Sequence, residues 1–208
     1  HGAAGGVGLA AMQVIAAAGA VPVVTAGNVS KREMLRGIGA NCTVNSRSPS
    51  FAEDMIVCSQ GATSVINTLT SPGFVAATLS TLARGGGFVE ISKRDIWCTE
   101  RMLQERPDID YNLLAVDFMS AQAIHNALMR VSDGVARSKL FPLPLISHNM
   151  ASIIDALRQM SQARHIGKIV VRPLLLQSSI ELGQSLVTGG TGALGSLVTK
   201  WLMDQKSG

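Results

Sequence analysis

The amino-acid sequence predicts an α/β fold with a doubly wound parallel sheet, and three observations predict it. Strand-like and helix-like patterns alternate along most of the chain, as they do in β-α-β units with right-handed crossovers. A glycine-rich loop, His1 to Gly8, opens directly onto a helix-compatible apolar run. Of the 208 residues, 47% are hydrophobic and only 15% are charged. That balance is typical of a parallel sheet covered by helices on both faces.

The individual elements follow from the period of the apolar residues and from the glycines that end helices. Residues 9–18 form a helix that Gly19 ends, and the β-branched run that follows gives a strand over 21–26. Further helices are predicted over residues 31–38, 51–59, 73–82, 119–133 and 150–160. Further strands are predicted over residues 42–44, 64–68, 88–91, 111–116 and 168–171.

The first glycine-rich loop predicts a phosphate-binding site. Free backbone amides at a helix N-terminus, together with the positive end of the helix dipole, favour an anion. Gly2 and Gly5 can adopt turn dihedrals closed to other residues. Gly6 lets a pyrophosphate approach the main chain, and Gly8 lets the helix pack closely on the sheet. With Val7, these glycines are the predicted dinucleotide-binding residues of the loop.

The charges that follow strand 21–26 predict which dinucleotide binds. An NAD site usually has an acidic residue at the end of this strand, where it binds the ribose 2′-hydroxyl. This chain has no acid there, and Lys31 and Arg32 follow a few residues later. Two cations suit the 2′-phosphate of NADPH; the alternative is that both are solvated charges at a helix start. The sequence thus predicts a Rossmann-type NADPH-binding domain.

A second strand, glycine loop and helix begin after a linker. Residues 185–195 repeat the strand-and-loop pattern, and residues 196–203 form the helix after it. The predicted organisation is a nucleotide-binding domain over 1–171, a linker over 172–183 and the opening of another Rossmann domain over 184–208. Since the strand that should precede the first loop is not in the sequence, we expect a fragment truncated at its first strand.

Composition argues against several classes of protein. The net charge of +4 is scattered rather than gathered in a basic stripe, which argues against nucleic-acid binding. No apolar run reaches membrane-spanning length. The three cysteines are odd in number and widely spaced, so neither a metal site nor a disulfide is predicted. We expect reduced thiols and a cytoplasmic location, with organelle targeting left open because the chain starts inside a loop. The cysteines are Cys42, Cys58 and Cys98.

Four blocks of sequence form a recognisable set. They are His1-Gly-Ala-Ala-Gly-Gly-Val-Gly8, Asn67-Thr-Leu69, Arg84-Gly-Gly-Gly-Phe-Val-Glu-Ile-Ser-Lys-Arg-Asp-Ile96 and Met160-Ser-Gln-Ala-Arg-His-Ile-Gly-Lys-Ile-Val-Val171. Together they resemble the enoylreductase domain of modular polyketide synthases and animal-type fatty acid synthases, which belongs to the medium-chain dehydrogenase/reductase superfamily. One departure is Gly27, which stands where a serine often helps to hold the 2′-phosphate.

The second glycine loop carries a resemblance of its own. Val187-Thr-Gly-Gly-Thr-Gly-Ala-Leu-Gly195 resembles the opening of a ketoreductase of the short-chain dehydrogenase type. An enoylreductase followed by a ketoreductase is the domain order that these synthases use, so the two resemblances support each other.

The resemblance implies that Lys93 and Asp117 are the catalytic residues. Lys93 follows a strand end, where open α/β sheets collect ligands, and it either donates a proton or holds a water that does. Asp117 also follows a strand and could keep Lys93 charged and oriented. Asn67 is expected to contact the cofactor, with a structural cap as the alternative. The charged residues of block 160–171 either contact the cofactor or fix the return of the chain.

The resemblance also implies an activity and partners. The activity is NADPH-dependent reduction of the α,β-double bond of an enoyl thioester on acyl carrier protein, during polyketide or fatty acid chain elongation. The implied partners are neighbouring synthase domains and a second copy in a homodimeric parent. Two alternatives stay open: a free-standing quinone reductase of the zeta-crystallin type, and a non-catalytic scaffold domain of a synthase. The ketoreductase-like opening disfavours the first, and the intact loop with Lys93 and Asp117 disfavours the second.

Overall fold

Helices and parallel strands alternate along the chain, which confirms the predicted α/β class. The structure is a computed structural model, and it describes residues 1–173 and 187–206. The chain divides into two units, His1–Arg172 and Pro173–Gly208. None of the helices in the described ranges has both the length and the apolar character needed to span a membrane.

The first unit holds fourteen of the helices and strands that the structure describes. Its strands are β1 (Val23–Ala26), β2 (Cys42–Asn45), β3 (Ala62–Asn67), β4 (Leu82–Glu90), β5 (Asp110–Leu113), β6 (Leu145–Asn149) and β7 (Lys168–Arg172). Its helices are α1 (Gly6–Ala17), α2 (Val29–Gly37), α3 (Phe51–Ser59), α4 (Phe74–Ser80), α5 (Thr99–Glu105), α6 (Ala121–Ala136) and α7 (Ile153–Ser161). Two short 3₁₀ turns cover Val116–Phe118 and Met150–Ser152.

The second unit is described only in part. Its helix α8 (Ala193–Lys206) contains the predicted helix over 196–203. Most of the predicted linker, 172–183, and most of the predicted strand, 184–188, lie outside the described residues.

Every strand pair in the described part of the chain is parallel, but the strands form three sheets rather than one hydrogen-bonded sheet. β1 pairs with β2, β4 lies between β3 and β5, and β6 pairs with β7. Because neighbouring parallel strands end at one edge, the loops after β3, β4 and β5 lie together. The predicted doubly wound arrangement of parallel strands is therefore present, but its strand-to-strand hydrogen bonds are divided among three sheets.

The first five residues connect the three sheets. The amino group of His1 donates to the carbonyl of Ile66 in β3 at 3.0 Å. The Ala3 amide donates to a carbonyl of β1 at 3.1 Å, and the Gly167 amide, just before β7, donates to the Ala4 carbonyl at 2.8 Å. These single hydrogen bonds, rather than a continuous ladder, join the three groups of described strands.

Buried apolar side chains form a core around these sheets. In the described residues they gather in three clusters, which contain Leu9 and Leu35 around β1, Phe51 and Met55 against β2, and Phe88 with neighbours from α4 and α5. Phe51, Phe88 and Leu35 are fully buried. The core thus covers β1 and β4, and the predicted site residues Lys31 and Lys93 follow the C-terminal ends of these strands.

Some elements differ from the prediction. The sequence pattern left α5 and β6 unassigned, because α5 buries only Met102 and β6 has no run of β-branched residues. β4 starts at Leu82, before the predicted strand over 88–91, with a register shift against β3 between Ala62 and Ser64. The strand predicted over 64–68 is observed as β3, whose Ile66 is 38% exposed.

The prediction of reduced thiols is wrong for two of the three cysteines. Cys42 in β2 and Cys58 in α3 form a disulfide, with Cα atoms 6.1 Å apart, while Cys98 is free and exposed. Spacing alone could not reveal this pair, because it depends on α3 folding back against β2.

Arg106 and Asp108 hold the segment between α5 and β5. Arg106 donates to both carboxylate oxygens of Asp108, at 2.8 and 2.9 Å, and to the Leu79 carbonyl at 2.9 Å. The Gly85 amide donates to Asp108 at 3.0 Å. The hydrogen bonds from Arg106, and next the one from Gly85, hold the pKa of Asp108 well below its ordinary value.

This shift predicts a loss of stability in acid. A carboxyl group with a lowered folded-state pKa stabilises the fold above its unfolded pKa, about 3.9 for aspartate, and loses that contribution as the pH falls through the folded value. We expect Asp108→Asn to lower Tm at pH 7 and to flatten the fall of Tm below about pH 4. Thermal unfolding between pH 2 and 7 checks this, with Glu33→Gln on exposed helix α2 as the control. Parallel Tm curves for wild type and Asp108→Asn would contradict it.

Candidate functional site

The loop of residues 2–8 forms a tight turn at the start of α1, with the geometry expected of an anion cradle. Gly2 has a left-handed φ of +61°, and the Gly5 amide donates to the Gly2 carbonyl at 3.0 Å. The first helical hydrogen bond runs from the Leu9 amide to the Gly5 carbonyl at 2.9 Å. The amides of residues 6–8 precede that bond and have no acceptor within the helix. They are therefore free for a phosphate oxygen.

Close packing explains Gly8, and it shows which side chain lies over Gly6. A Cβ on Gly8 would lie 2.7 Å from the carbonyl carbon and oxygen of Ala3, so only glycine lets α1 approach the loop. A Cβ on Gly6 would lie 2.9 Å from the Lys168 Nζ atom. The Lys168 side chain therefore lies over the start of α1, where its ammonium adds to the positive end of the helix dipole.

A cavity of about 240 Å³ lies beside the glycine loop. Its cationic side chains are Lys31 and Arg47, and the described residues that line it include no aspartate or glutamate. The lining consists of Gly2, Ala4, Gly5, Ala26, Gly27, Asn28, Lys31, Ser46, Arg47, Ala163 and His165. The cavity thus joins the phosphate loop to the ends of β1 and β2.

The two cations of this cavity are held close together. Lys31 Nζ donates to the Ala163 carbonyl at 2.7 Å. The Arg47 guanidinium packs against Gly27, where a Cβ would come within 2.6 Å of its Nε atom. Burial, and next the positive charge of Arg47, lower the pKa of Lys31. An anion bound between Lys31 and Arg47 would relieve their repulsion.

Arg47, rather than the predicted Arg32, lines the cavity beside Lys31. Arg32 instead donates to the Ala26 carbonyl at 3.0 Å, and it lines a separate cavity of about 460 Å³ along β2. The structure therefore brings Lys31 to the glycine loop and does not bring Arg32 there. Sequence reasoning missed Arg47, although its position just after a strand is one where α/β sheets collect ligands.

Lys93 and Asp117 form an ion pair. Lys93 follows the end of β4 by three residues, and Asp117 lies in the 3₁₀ turn after β5. β4 and β5 are parallel neighbours, so their C-terminal ends deliver both side chains to one edge. The side chains are 66% and 63% exposed, so the pair is accessible from solvent.

Asn67 takes part in a buried hydrogen-bond network with Glu90. Asn67 is fully buried, and its Nδ2 atom donates to Glu90 Oε2 at 2.6 Å. The other Glu90 oxygen accepts from the Ser92 amide at 2.8 Å, and Asn67 Oδ1 accepts from the Leu69 amide at 3.3 Å. Cofactor contact by Asn67 stays a prediction. Sequence reasoning missed Glu90, because one glutamate in an apolar strand carries no pattern.

The second glycine loop repeats the geometry of the first. Gly189 has a φ of +70°, the Gly192 amide donates to the Gly189 carbonyl at 2.9 Å, and the Ser196 amide donates to the Gly192 carbonyl at 2.9 Å. A Cβ on Gly195 would lie 2.8 Å from the Gly190 Cα atom. The turn, the first helical bond and the close glycine approach have the same spacing in both loops.

Comparison with known proteins identifies relatives for the whole chain. Residues 38–171 match the zinc-binding dehydrogenase family. The chain is 32% identical to a phenolphthiocerol/phthiocerol polyketide synthase subunit of Mycobacterium tuberculosis, covering 100% of this chain and 10% of that protein. It is 36% identical to polyketide synthase GfsB of Streptomyces halstedii, covering 99% of this chain and 4% of that protein. The chain therefore spans about a tenth or less of these curated relatives.

Solved structures show the same fold. The CurK enoyl reductase is 34% identical with a TM-score of 0.76, covering 83% of this chain and 53% of that one. The nucleotide-binding subdomain of the PpsC enoylreductase domain from Mycobacterium tuberculosis is 29% identical with a TM-score of 0.60, covering 68% and 82%. A quinone oxidoreductase from Thermus thermophilus, solved also in complex with NADPH, is 25% identical with a TM-score of 0.65, covering 82% and 56%.

Proposed function

This chain belongs to the zinc-binding dehydrogenase family, as an enoylreductase domain of the polyketide synthase type, and we propose that it takes part in NADPH-dependent reduction of enoyl thioesters. The observation that carries the proposal is the Lys93–Asp117 pair, which lies after strands of the domain that holds the phosphate loop. Among the described residues, no group of three or more His, Cys, Asp and Glu could hold a metal. Because these residues offer no set of ligands that would fit zinc, we assign no step of the reaction to a metal.

The residues around the glycine loop fit a nicotinamide dinucleotide phosphate. The amides of residues 6–8 and the Lys168 ammonium would bind the pyrophosphate, and Lys31 with Arg47 would bind the 2′-phosphate. The acid-free cavity supports NADPH over NADH, because a carboxylate that would bind a free 2′-hydroxyl is absent from its described lining. When bound, NADPH supplies a hydride to the β-carbon of the substrate.

Lys93 and Asp117 would complete the reaction. Reduction of the double bond needs a proton at the α-carbon and a positive group near the thioester oxygen, where negative charge develops. The Lys93 ammonium meets both needs, donating its proton directly or through a held water. Asp117 would orient that ammonium through the ion pair.

The relatives suggest the setting in which this site works. Because they are polyketide synthases, we propose that the enoyl group arrives on acyl carrier protein, that other synthase domains adjoin this one, and that the parent is a cytoplasmic homodimer. The repeated loop geometry of residues 189–195 supports the opening of a ketoreductase-type nucleotide domain.

The proposed activity is tested with the full-length protein that carries this chain. NADPH oxidation is followed by absorbance with a crotonyl thioester and, separately, with a small quinone. We expect oxidation with the thioester and reduced α,β-carbons in the product. Oxidation with the quinone alone would replace the proposal with the quinone reductase alternative. No oxidation with either would favour the scaffold alternative.

The 2′-phosphate assignment predicts a selective loss of affinity. Lys31→Ala and Arg47→Ala each remove one charge-assisted contact, so NADPH binding should weaken about tenfold or more while NADH binding changes little. Dissociation constants for both nucleotides in each variant check this, with Arg130→Ala on exposed α6 as the matched control. Equal losses for NADPH and NADH would contradict a 2′-phosphate site.

A further inference from the structure

Glu90 makes hydrogen bonds at the C-terminal ends of β3, β4 and β5, the three strands nearest Lys93 and Asp117. Its carboxylate accepts from the Asn67 side chain at the end of β3 and from the Ser92 amide, next to Lys93. Its backbone carbonyl accepts from the Leu114 amide, after β5, at 2.9 Å. The segment that carries Lys93 and the segment that carries Asp117 are therefore both hydrogen-bonded to Glu90 near their first residues.

The burial of Glu90 indicates that its hydrogen bonds do more than pack the strand end. Glu90 is only 2% exposed, and a buried carboxylate is costly unless hydrogen bonds satisfy it. Among the described residues, a side-chain amide and a backbone amide bind its carboxylate, rather than a cation. An apolar residue would pack at this strand end with no such cost. The carboxylate can therefore serve to order the backbone around it.

The Lys93–Asp117 pair needs such ordering. Exposed ion pairs hold two long side chains together only weakly, and both partners are more than half exposed. Their mutual placement therefore depends on the backbone segments that carry them. A displacement of about 1 Å in a reacting group can lower turnover about 100-fold.

We propose that Glu90 is a positioning residue. Its buried carboxylate, held by Asn67, fixes the segment that carries Lys93, while its backbone carbonyl anchors the segment that carries Asp117. The proposal rests on the proposed function for its effect on turnover. It does not rest on that function for its effect on Lys93 itself, so the two can fail separately.

A double-mutant cycle tests the coupling in the full-length protein. Glu90→Gln keeps the size of the side chain and an acceptor for Ser92, but it sets an amide against the Asn67 amide. We expect kcat with the crotonyl thioester to fall about 10- to 100-fold, with the dissociation constant of NADPH within about twofold of wild type. In a Lys93→Ala background the same change should add less than about twofold. Full additivity, or an unchanged kcat, would overturn the proposal.

A labelling measurement gives a readout without turnover. The rate at which an amine-acylating reagent modifies Lys93, measured by peptide mass spectrometry, should rise several-fold in Glu90→Gln because the ion pair then forms for less of the time. Exposed Lys139 in the same protein is the internal control, and Glu33→Gln is the matched variant. If Glu90→Gln does not fold, Asn67→Ala removes the same bond from the other side.

The outcomes separate the two ideas. An inactive wild type with faster Lys93 labelling in Glu90→Gln would refute the proposed activity and keep the positioning role. An active wild type with equal labelling rates would keep the activity and refute the positioning role.

Discussion

Replacing both Lys93 and Asp117 with alanine is expected to lower enoyl thioester turnover about 100-fold or more, the usual loss when a positioned acid–base group is removed. NADPH binding should stay nearly unchanged, because both residues follow strands at the predicted nicotinamide side rather than at the phosphate loop. The fold should also survive, since exposed ion pairs contribute little to stability. Steady-state kinetics, NADPH titration and Tm measure the three effects.

The matched control is another exposed ion pair of the same chain. Arg137 and Asp133 on α6 are 67% and 57% exposed and pair at 2.7 Å, so Arg137→Ala with Asp133→Ala removes an equivalent interaction away from the site. Its turnover should equal that of wild type. If the Lys93 and Asp117 double variant also turned over at a near-normal rate, the proton would have to come from another group.

Gly8→Ala is expected to abolish most of the NADPH affinity and to destabilise the first unit. The added Cβ would collide with the backbone of Ala3, which cannot rotate away as a flexible side chain could. Overpacking of this kind costs about 1–3 kcal/mol of stability. It would also move the amides of residues 6–8 off the phosphate and weaken binding about tenfold or more. Nucleotide titration and thermal unfolding measure the two losses.

Gly37→Ala is the control for this prediction. Gly37 ends helix α2, has no heavy atom within 4 Å of a built Cβ, and has no positive φ. Alanine there should be tolerated and slightly stabilising, by at most about 1 kcal/mol. If Gly8→Ala bound NADPH as tightly as Gly37→Ala does, the glycine loop would not be the phosphate site.

The parts of the fold that could be predicted from sequence are those with a clear apolar pattern between stop signals. Helix α3 was predicted with its observed bounds of residues 51–59, because its apolar residues lie between Pro49 and Gly61. β6 and α5 were not predicted, because β6 has no run of β-branched residues and α5 buries only Met102, so neither carries a clear pattern. The disulfide between Cys42 and Cys58 depends on tertiary packing, which no spacing rule encodes.

The residues of the candidate site also divide into those that the sequence could predict and those that it could not. The glycine loop could be predicted because its residues are contiguous and each glycine has a steric reason. Arg47 could not, because β2 had to bring it next to Lys31 from outside the motif, while Arg32, close in sequence, turned to the Ala26 carbonyl. Glu90 was missed because its importance lies in contacts to residues 67 and 92 rather than in any motif.

The five residues that join the three sheets have a consequence for the order of folding. Separation along the chain is large in these contacts: it is 65 residues between His1 and Ile66 and 163 residues between Ala4 and Gly167. Contacts of this kind form slowly because long loops must close first. Local β-α pieces such as β2 with α3 can form early. We therefore expect competence to bind nucleotide to appear as the last kinetic phase of refolding, since the phosphate loop begins inside this late segment.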